Sequence, residues 1–72
     1  MKVKTLWRGA FNYRQSAVVL YRQAHTERQA WLVFCRHLAK KDGVDPSVVM
    51  GLFDGSRDNY EITVEMEYKE AV

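Results

Sequence analysis

Residues 26–41 read TERQAWLVFCRHLAKK and predict the one long helix of this chain. Thr26 can cap the start, because its hydroxyl can accept from a first-turn N–H, and Gln29 can reach back to the Thr26 N–H. Gly43 is the expected stop, since glycine tolerates the left-handed conformation that ends helices. Apolar side chains recur at the spacing of one helix face, at Trp31, Phe34, Cys35 and Leu38. We expect the rest of the chain to be arranged around this face.

Three other segments have the patterns of strands. Residues 2–13 alternate with a period of two, and Gly9 among them indicates a bulge or a close approach of the helix. The polar residues 14–16 predict a turn. Residues 17–24 begin with the continuous apolar run AVVLY, so this strand is apolar on both faces, either from a central position or because a partner or ligand covers it. Residues 60–69 alternate most cleanly, with one apolar and one acidic face.

A short second helix, or a single turn, is predicted for residues 46–53, because Asp45 can cap it and Pro46 suits the first helical position. Its apolar residues, Val48, Val49, Leu52 and Phe53, are expected to pack on the core. Residues 54–59 read DGSRDN and predict a loop. The order β-β-α-(short α)-β predicts one α+β domain over residues 1–72, a three-stranded antiparallel sheet with the long helix on one face.

The charges are divided unevenly along the chain. Residues 1–41 hold nine Lys or Arg and one acid, for a net +8, and residues 42–72 hold two against eight, for a net −6. Opposite charges on paired strands stabilise a sheet by ~0.2–1 kcal/mol per pair. We therefore expect the strand order 2-1-3, in which the basic face of the first strand (Lys2, Lys4, Arg8) meets the acidic face of the last (Glu61, Glu65, Glu67).

Composition favours a reducing compartment, because the single Cys35 has no cysteine partner for a disulfide. The first residues lack the apolar run of a signal peptide, and no stretch reaches the ~20 apolar residues of a membrane span. We therefore expect a cytoplasmic protein. Cys35 and His37, two positions apart on a helix, point in different directions and cannot share a metal ion, so Cys35 is expected to be a core residue. With no metal, cofactor or catalytic motif, we expect a non-enzymatic protein.

The apolar second strand predicts protein–protein interaction. Val19 and Tyr21 are the residues expected to contact a partner, which would be a host or phage protein or a second copy of the chain in a homodimer.

The alternative function is nucleic-acid binding by a basic surface. Six cations of the first turn, second strand and helix have no obvious acidic match: Arg14, Arg22, Arg28, Arg36, Lys40 and Lys41. The first five of these are the residues predicted to bind nucleic acid. Tyr13 and Tyr21 could stack on unpaired bases. A solvated helix face accounts for the same cations more simply.

Three pieces of the chain resemble a set of short open reading frames carried by bacterial phages and integrated mobile elements. They are FNY at 11–13 with LY at 20–21, TERQA at 26–30 leading to LAKK at 38–41, and FDGSRDNYEI at 53–62. This resemblance implies a phage or mobile-element accessory protein. It implies no activity and no functional residues.

Overall fold

The structure is a computed structural model that describes residues 3–69, with side chains described for residues 5–67. The elements follow the order β1 (Val3–Tyr13), β2 (Ser16–Ala24), α1 (Glu27–Asp42), α2 (Pro46–Leu52) and β3 (Tyr60–Lys69). The three strands form one antiparallel sheet in the order β2-β1-β3, with α1 on one face. The predicted α+β fold and strand order are confirmed.

Helix α1 begins and ends as its sequence predicts, apart from one bond. Thr26 Oγ1 accepts from the Gln29 N–H at 3.1 Å, and Gly43 has φ +72° at the other end. The Gln29 side chain, however, accepts from the N–H of His25 at 2.7 Å rather than from that of Thr26. The cap is therefore a one-residue variant of the expected box, and it ties the end of the β2–α1 connection to the helix.

The core lies between α1 and the middle of the sheet. Phe34, Cys35 and Leu38 of α1 are buried there, whereas Trp31 lies at the edge of the core and is half-buried. Phe11 of β1 stands edge-on to Phe34, with ring centroids 5.7 Å apart. Aromatic pairs of this geometry are favourable beyond the apolar area that they bury. Cys35 is a core residue, as predicted.

Gly9 allows the helix to come this close. A Cβ atom at this position would stand 2.6 Å from the ring of Phe11 and 2.7 Å from that of Phe34. The predicted close approach is therefore confirmed. The irregularity of the sheet lies elsewhere, between Leu6 and Trp7.

Helix α2 forms, with Asp45 as its cap and Pro46 in the first turn. Val49 and Phe53 are buried, and the Phe53 ring contacts the rings of Phe11 and Tyr60 on the sheet. Val48 and Leu52 remain exposed. The prediction that all four pack on the core is wrong for these two, because a helix this short turns only one side to the core.

Strand β3 does not keep a single apolar face. Leu6 pairs with Met66 but Trp7 pairs with Val64, so Glu65 is an extra residue opposite them, a β-bulge. Beyond the bulge the alternation is inverted: Met66 shares the face of Leu6, away from the helix, and Glu67 shares the face of Thr5. The predicted separation into an apolar and an acidic face is wrong past residue 64.

The predicted charge pairing between β1 and β3 is also wrong, although the strand order that it suggested is right. Arg8 pairs with Thr63, Glu61 with Ala10, and Glu67 with Thr5. The backbone of Lys4 pairs with that of Tyr68, and Lys2 lies outside the described residues.

Candidate interaction surfaces

The side of the sheet that faces away from α1 is here called the open face. The strand register aligns its side chains in rows across β2, β1 and β3, because paired residues of antiparallel strands point to the same face. Two such rows are Tyr21–Arg8–Thr63 and Val19–Ala10–Glu61. Within residues 5–67, no helix or loop covers this face. It is therefore a mixed surface of apolar side chains with Arg8 near its centre.

Val19 and Tyr21 both lie on the open face, and each is 44% exposed. The strand order makes β2 an edge strand, so a central position cannot explain why it is apolar on both sides. Val18 and Leu20 face the helix and pack against the core. Met66 joins the open face through the bulge and is also exposed. Of the two explanations drawn from the sequence, the structure excludes the central position for this strand.

The free edge of β2 is partly occupied by its own Arg22. The guanidinium Nη1 donates to the Tyr21 carbonyl at 2.7 Å, and Nη2 lies 3.2 Å from Nδ1 of His37. Because a guanidinium can only donate, Nδ1 of His37 is the acceptor in this contact. Arg22 therefore bridges the strand edge to helix α1.

The five cations predicted for nucleic-acid binding do not form one patch. Arg14 lies in the β1–β2 turn, where it pairs with Asp42 at 2.8 Å. Arg28 lies over the ring of Trp31 on one side of α1, and Arg22 meets His37 on the other. Nine positions separate residues 28 and 37, which at about 100° per residue puts them on opposite sides of the helix.

Arg36 and Lys40 are exposed on the outside of α1, one turn apart. Together with Arg22, which meets the neighbouring His37, they form the basic side of the helix. Arg22 thus contacts the residue that follows Arg36 in the sequence, whereas Arg14 pairs with Asp42 and Arg28 lies over Trp31.

A cleft between α1 and β3 was not predicted from the sequence. Its volume is about 570 Å³, and its walls include Glu27, Arg28, Trp31, Asp54, Tyr60 and Ile62. The Trp31 indole N–H donates to the Phe53 carbonyl at 2.9 Å, and the Tyr60 ring stacks on Phe11 with an interplanar angle of 9°. Both aromatic walls are thereby held in place. This space is here called the α1–β3 cleft.

Two carboxylates stand on the rim of the α1–β3 cleft. The hydroxyl and the backbone N–H of Ser56 donate to Asp54, and these bonds lower the pKa of that carboxyl below its usual value. Asp54 therefore stays ionised at neutral pH. Glu27, at the start of α1, is exposed on the same rim. The guanidinium of Arg28 lies 5.9 Å from the centre of the Trp31 ring.

Two apolar patterns in the sequence contribute residues to the cleft, and they are the only sequence signal from which it could have been predicted. Tyr60, Ile62 and Val64 form the apolar alternation of β3, and Trp31 begins the apolar face of the helix. Neither pattern shows that the helix leaves β3 partly uncovered. Val64 follows Ile62 on the helix side of β3 and is 47% exposed.

Cys35 is buried, and burial raises the pKa of its thiol to about 11, so the reactive thiolate is absent at neutral pH. Residues 5–67 contain no group of three or more His, Cys, Asp or Glu side chains placed to hold a metal ion. None of the helices within residues 3–69 has the length and apolar character to cross a membrane.

No protein-family model, curated protein or solved structure matches the chain.

Proposed function

We infer that this protein is a small, non-enzymatic binding module that acts through protein–protein interaction on the open face of its sheet. In this proposal it works in the cytoplasm as an accessory protein of a phage or mobile element, as its resemblance to such open reading frames suggests. The partner is a host or phage protein, or a second copy of the chain. The single observation that supports the proposal is the pair Val19 and Tyr21, each 44% exposed on a face that no described element covers.

The composition of the open face fits this use. Large apolar side chains that are exposed together are uncommon on monomeric proteins and are typical of interaction sites. Tyrosine and arginine are the residue types that contribute most often to interface energy, and Arg8 pairs with Tyr21 at the centre of this face. The β1–β2 pairing continues over nine residue pairs, so the face is presented by a regular backbone.

The experiment compares charged substitutions at three similarly exposed residues, two on the open face and one on helix α2. Val19→Lys and Tyr21→Lys place a cation on the open face, whereas Val48→Lys places one on α2, where Val48 is 50% exposed. We expect the first two to weaken self-association or partner capture by about tenfold or more, because a buried unpaired charge is costly at an interface. Val48→Lys should leave binding unchanged. Sedimentation of the purified protein tests self-association, and affinity capture from host and phage-infected lysates tests a second protein.

A wild-type chain that is a strict monomer and captures no protein would contradict the proposal. So would a captured protein that binds the Val19→Lys and Tyr21→Lys variants as well as the wild type. Circular dichroism of each variant checks that the fold is retained.

Nucleic-acid binding is the second candidate function, and the observation that favours it is the basic side of α1 formed by Arg22, Arg36 and Lys40. Binding through phosphates weakens steeply as the salt concentration rises. A labelled single-stranded oligonucleotide should bind at 50 mM salt and lose affinity in the variant Arg22→Glu/Arg36→Glu. Absence of binding at low salt, or binding that is equally tight in this variant, would exclude this function.

A further inference from the structure

Strand β3 forms the second edge of the sheet, and its free backbone groups can be identified from the pairing. The Asn12 N–H donates to the Asn59 carbonyl at 2.9 Å, so the even-numbered residues of β1 bond toward β3. Bonded and non-bonded pairs alternate in an antiparallel ladder. Glu61 and Thr63 therefore bond to β1, while the N–H and C=O groups of Tyr60 and Ile62 point away from the sheet.

The stretch of β3 from residue 60 to residue 64 is a weakly protected edge, with Glu61 as its one charged residue. It reads YEITV and contains no proline, lysine or arginine. The bulge at Glu65 interrupts the regular pairing beyond it. An added strand would therefore find about five residues of regular backbone to pair with.

On the helix side of this edge, an added strand would lie over the α1–β3 cleft. The cleft volume of about 570 Å³ is within the usual range of ligand sites, roughly 300–1,000 Å³. Trp31 and Tyr60 are fixed by their contacts with Phe53 and Phe11. Val64 follows Ile62 on the same side of β3, just beyond the cleft, and is 47% exposed. Alternate apolar side chains of a peptide could enter this space.

The side chains around the same edge are mostly acidic and therefore favour a cationic peptide. Glu27 and Asp54 stand on the rim of the cleft, and Glu61, Glu65 and Glu67 are exposed along β3. Arg28 is the only described cation among the residues lining the cleft. Glu61 faces the open side of the sheet, in register with Ala10. Basic side chains of an added strand would point to that side when its apolar side chains point into the cleft.

We propose that residues 60–64 bind an extended segment of another protein, with alternating apolar and basic residues, as a fourth strand of the sheet. Its apolar side chains fill the α1–β3 cleft, and its Lys or Arg side chains lie beside Glu61 and the neighbouring acids. This is strand addition, in which main-chain bonds supply affinity and alternate pockets supply specificity. The site is on the opposite edge of the sheet from Val19 and Tyr21 and does not depend on the proposed function.

The first experiment measures fluorescence anisotropy with a fluorescein-labelled seven-residue peptide in which Lys and Val alternate. Two control peptides are used, one with Glu in place of Lys and one with the same composition but with the valines in one block. We expect saturable binding of the alternating basic peptide, and at least tenfold weaker binding of both controls. Equal binding of either control would overturn the proposal.

Variants then locate the site on the protein. Val64→Lys, two residues beyond the cleft-lining Ile62 on the same side of β3, should weaken binding of the alternating peptide about tenfold or more. Val48→Lys and Val19→Lys should leave it unchanged. Glu61→Gln/Glu65→Gln should weaken it at 50 mM salt and less at 500 mM salt, because exposed charges are screened. An unchanged affinity for Val64→Lys would overturn the proposal, and loss of affinity in Val19→Lys would assign the peptide to the open face instead.

Amide hydrogen exchange separates strand addition from binding by side chains alone. The outward amide of Ile62 should exchange fast in the free protein and at least tenfold more slowly with the alternating peptide bound. The amide of Thr63, which already bonds within the sheet, serves as the internal control. Binding without protection at Ile62 would refute a fourth strand.

Discussion

Replacing Gly9 by alanine tests whether the approach of α1 to the sheet determines the fold. The added methyl would stand 2.6 Å from Cε2 of Phe11 and 2.7 Å from Cδ2 and Cε2 of Phe34. Both rings are buried, at 2% and 0% exposure, and each is surrounded by other core side chains. Neither ring can move aside without displacing its neighbours, so the backbone of β1 or the axis of α1 has to shift.

The magnitude follows from two opposing effects. Overpacking a well-filled core costs typically ~1–3 kcal/mol. Glycine in a strand is itself unfavourable by ~0.5–1 kcal/mol relative to alanine, which offsets part of that cost. Because the contacts at 2.6 and 2.7 Å force a shift, the cost lies in the upper half of the overpacking range, and we expect Gly9→Ala to lower the free energy of unfolding by about 1–2 kcal/mol. In a domain of this size that corresponds to a fall in Tm of roughly 4–16 °C.

Gly51→Ala is the matched control, because Gly51 lies in helix α2 and a Cβ there meets nothing within 4 Å. Alanine in an open helical position should raise the free energy of unfolding by up to ~1 kcal/mol. Urea denaturation followed by tryptophan fluorescence measures both variants. The double variant Gly9→Ala/Phe34→Leu should lose less stability than the two single variants add up to, because the smaller side chain relieves the clash. A Gly9→Ala variant as stable as the wild type, or strict additivity in the double variant, would refute the argument.

Substitutions at four further positions test local features by the same denaturation assay. Thr26→Ala should cost about 1 kcal/mol through loss of the helix cap, and Thr26→Ser should cost little because serine keeps the bond to the Gln29 N–H. Gln15→Gly should stabilise the protein by ~0.5–1 kcal/mol, because Gln15 has φ +64°, a conformation that glycine adopts without strain. Gly43→Ala should destabilise the protein for the same reason, since Gly43 has φ +72°. Equal effects of the two substitutions on the free energy of unfolding would contradict this account. The pKa of Cys35, raised to about 11 by burial, predicts a loss of stability as the pH rises from 9 through 11, since only the unfolded thiol ionises there. This loss should be about 2 kcal/mol larger in the wild type than in Cys35→Ala, and identical pH profiles would contradict it.

The helix and its neighbours were predictable because short-range signals agreed there. The cap at Thr26, the stop at Gly43 and the apolar spacing between them act over one to four residues and need no knowledge of the tertiary structure. The buried state of Cys35 followed from its place on that face. The β1–β2 turn is harder, because Arg14 and Gln15 both have positive φ and neither is a residue that usually favours it. The pairing of Arg14 with Asp42, 28 residues away, is one contact that supports this turn.

The bulge at Glu65 could not be read from the sequence. The alternation in residues 60–69 continues without interruption, so periodicity alone assigns Met66 to the same face as Ile62. The extra residue becomes visible only when β3 is paired with β1, where Leu6 meets Met66 and Trp7 meets Val64. A bulge depends on both strands of a pair, and a pattern along one strand contains no information about it. The predicted facing of charges on β1 and β3 was wrong for two reasons. In the regular part of the ladder the register sets Arg8 opposite Thr63 and Glu61 opposite Ala10, and past the bulge Glu67 moves to the other face.

The uncovered apolar residues on the helix side of β3 follow from the dimensions of the elements. A helix with its side chains is about 10 Å across, and neighbouring strands lie about 4.8 Å apart, so one helix covers roughly two strands. The Gly9–Phe34 approach holds α1 over β1, and the Arg22–His37 contact holds it toward β2. The third strand is then left with Val64 exposed and with a cleft between itself and Trp31. If this account is right, Val64→Thr should change the free energy of unfolding by less than about 0.5 kcal/mol, as expected for a surface position. A loss of 1 kcal/mol or more would mean that the helix covers β3 in solution, and that the space assigned to a fourth strand is closed.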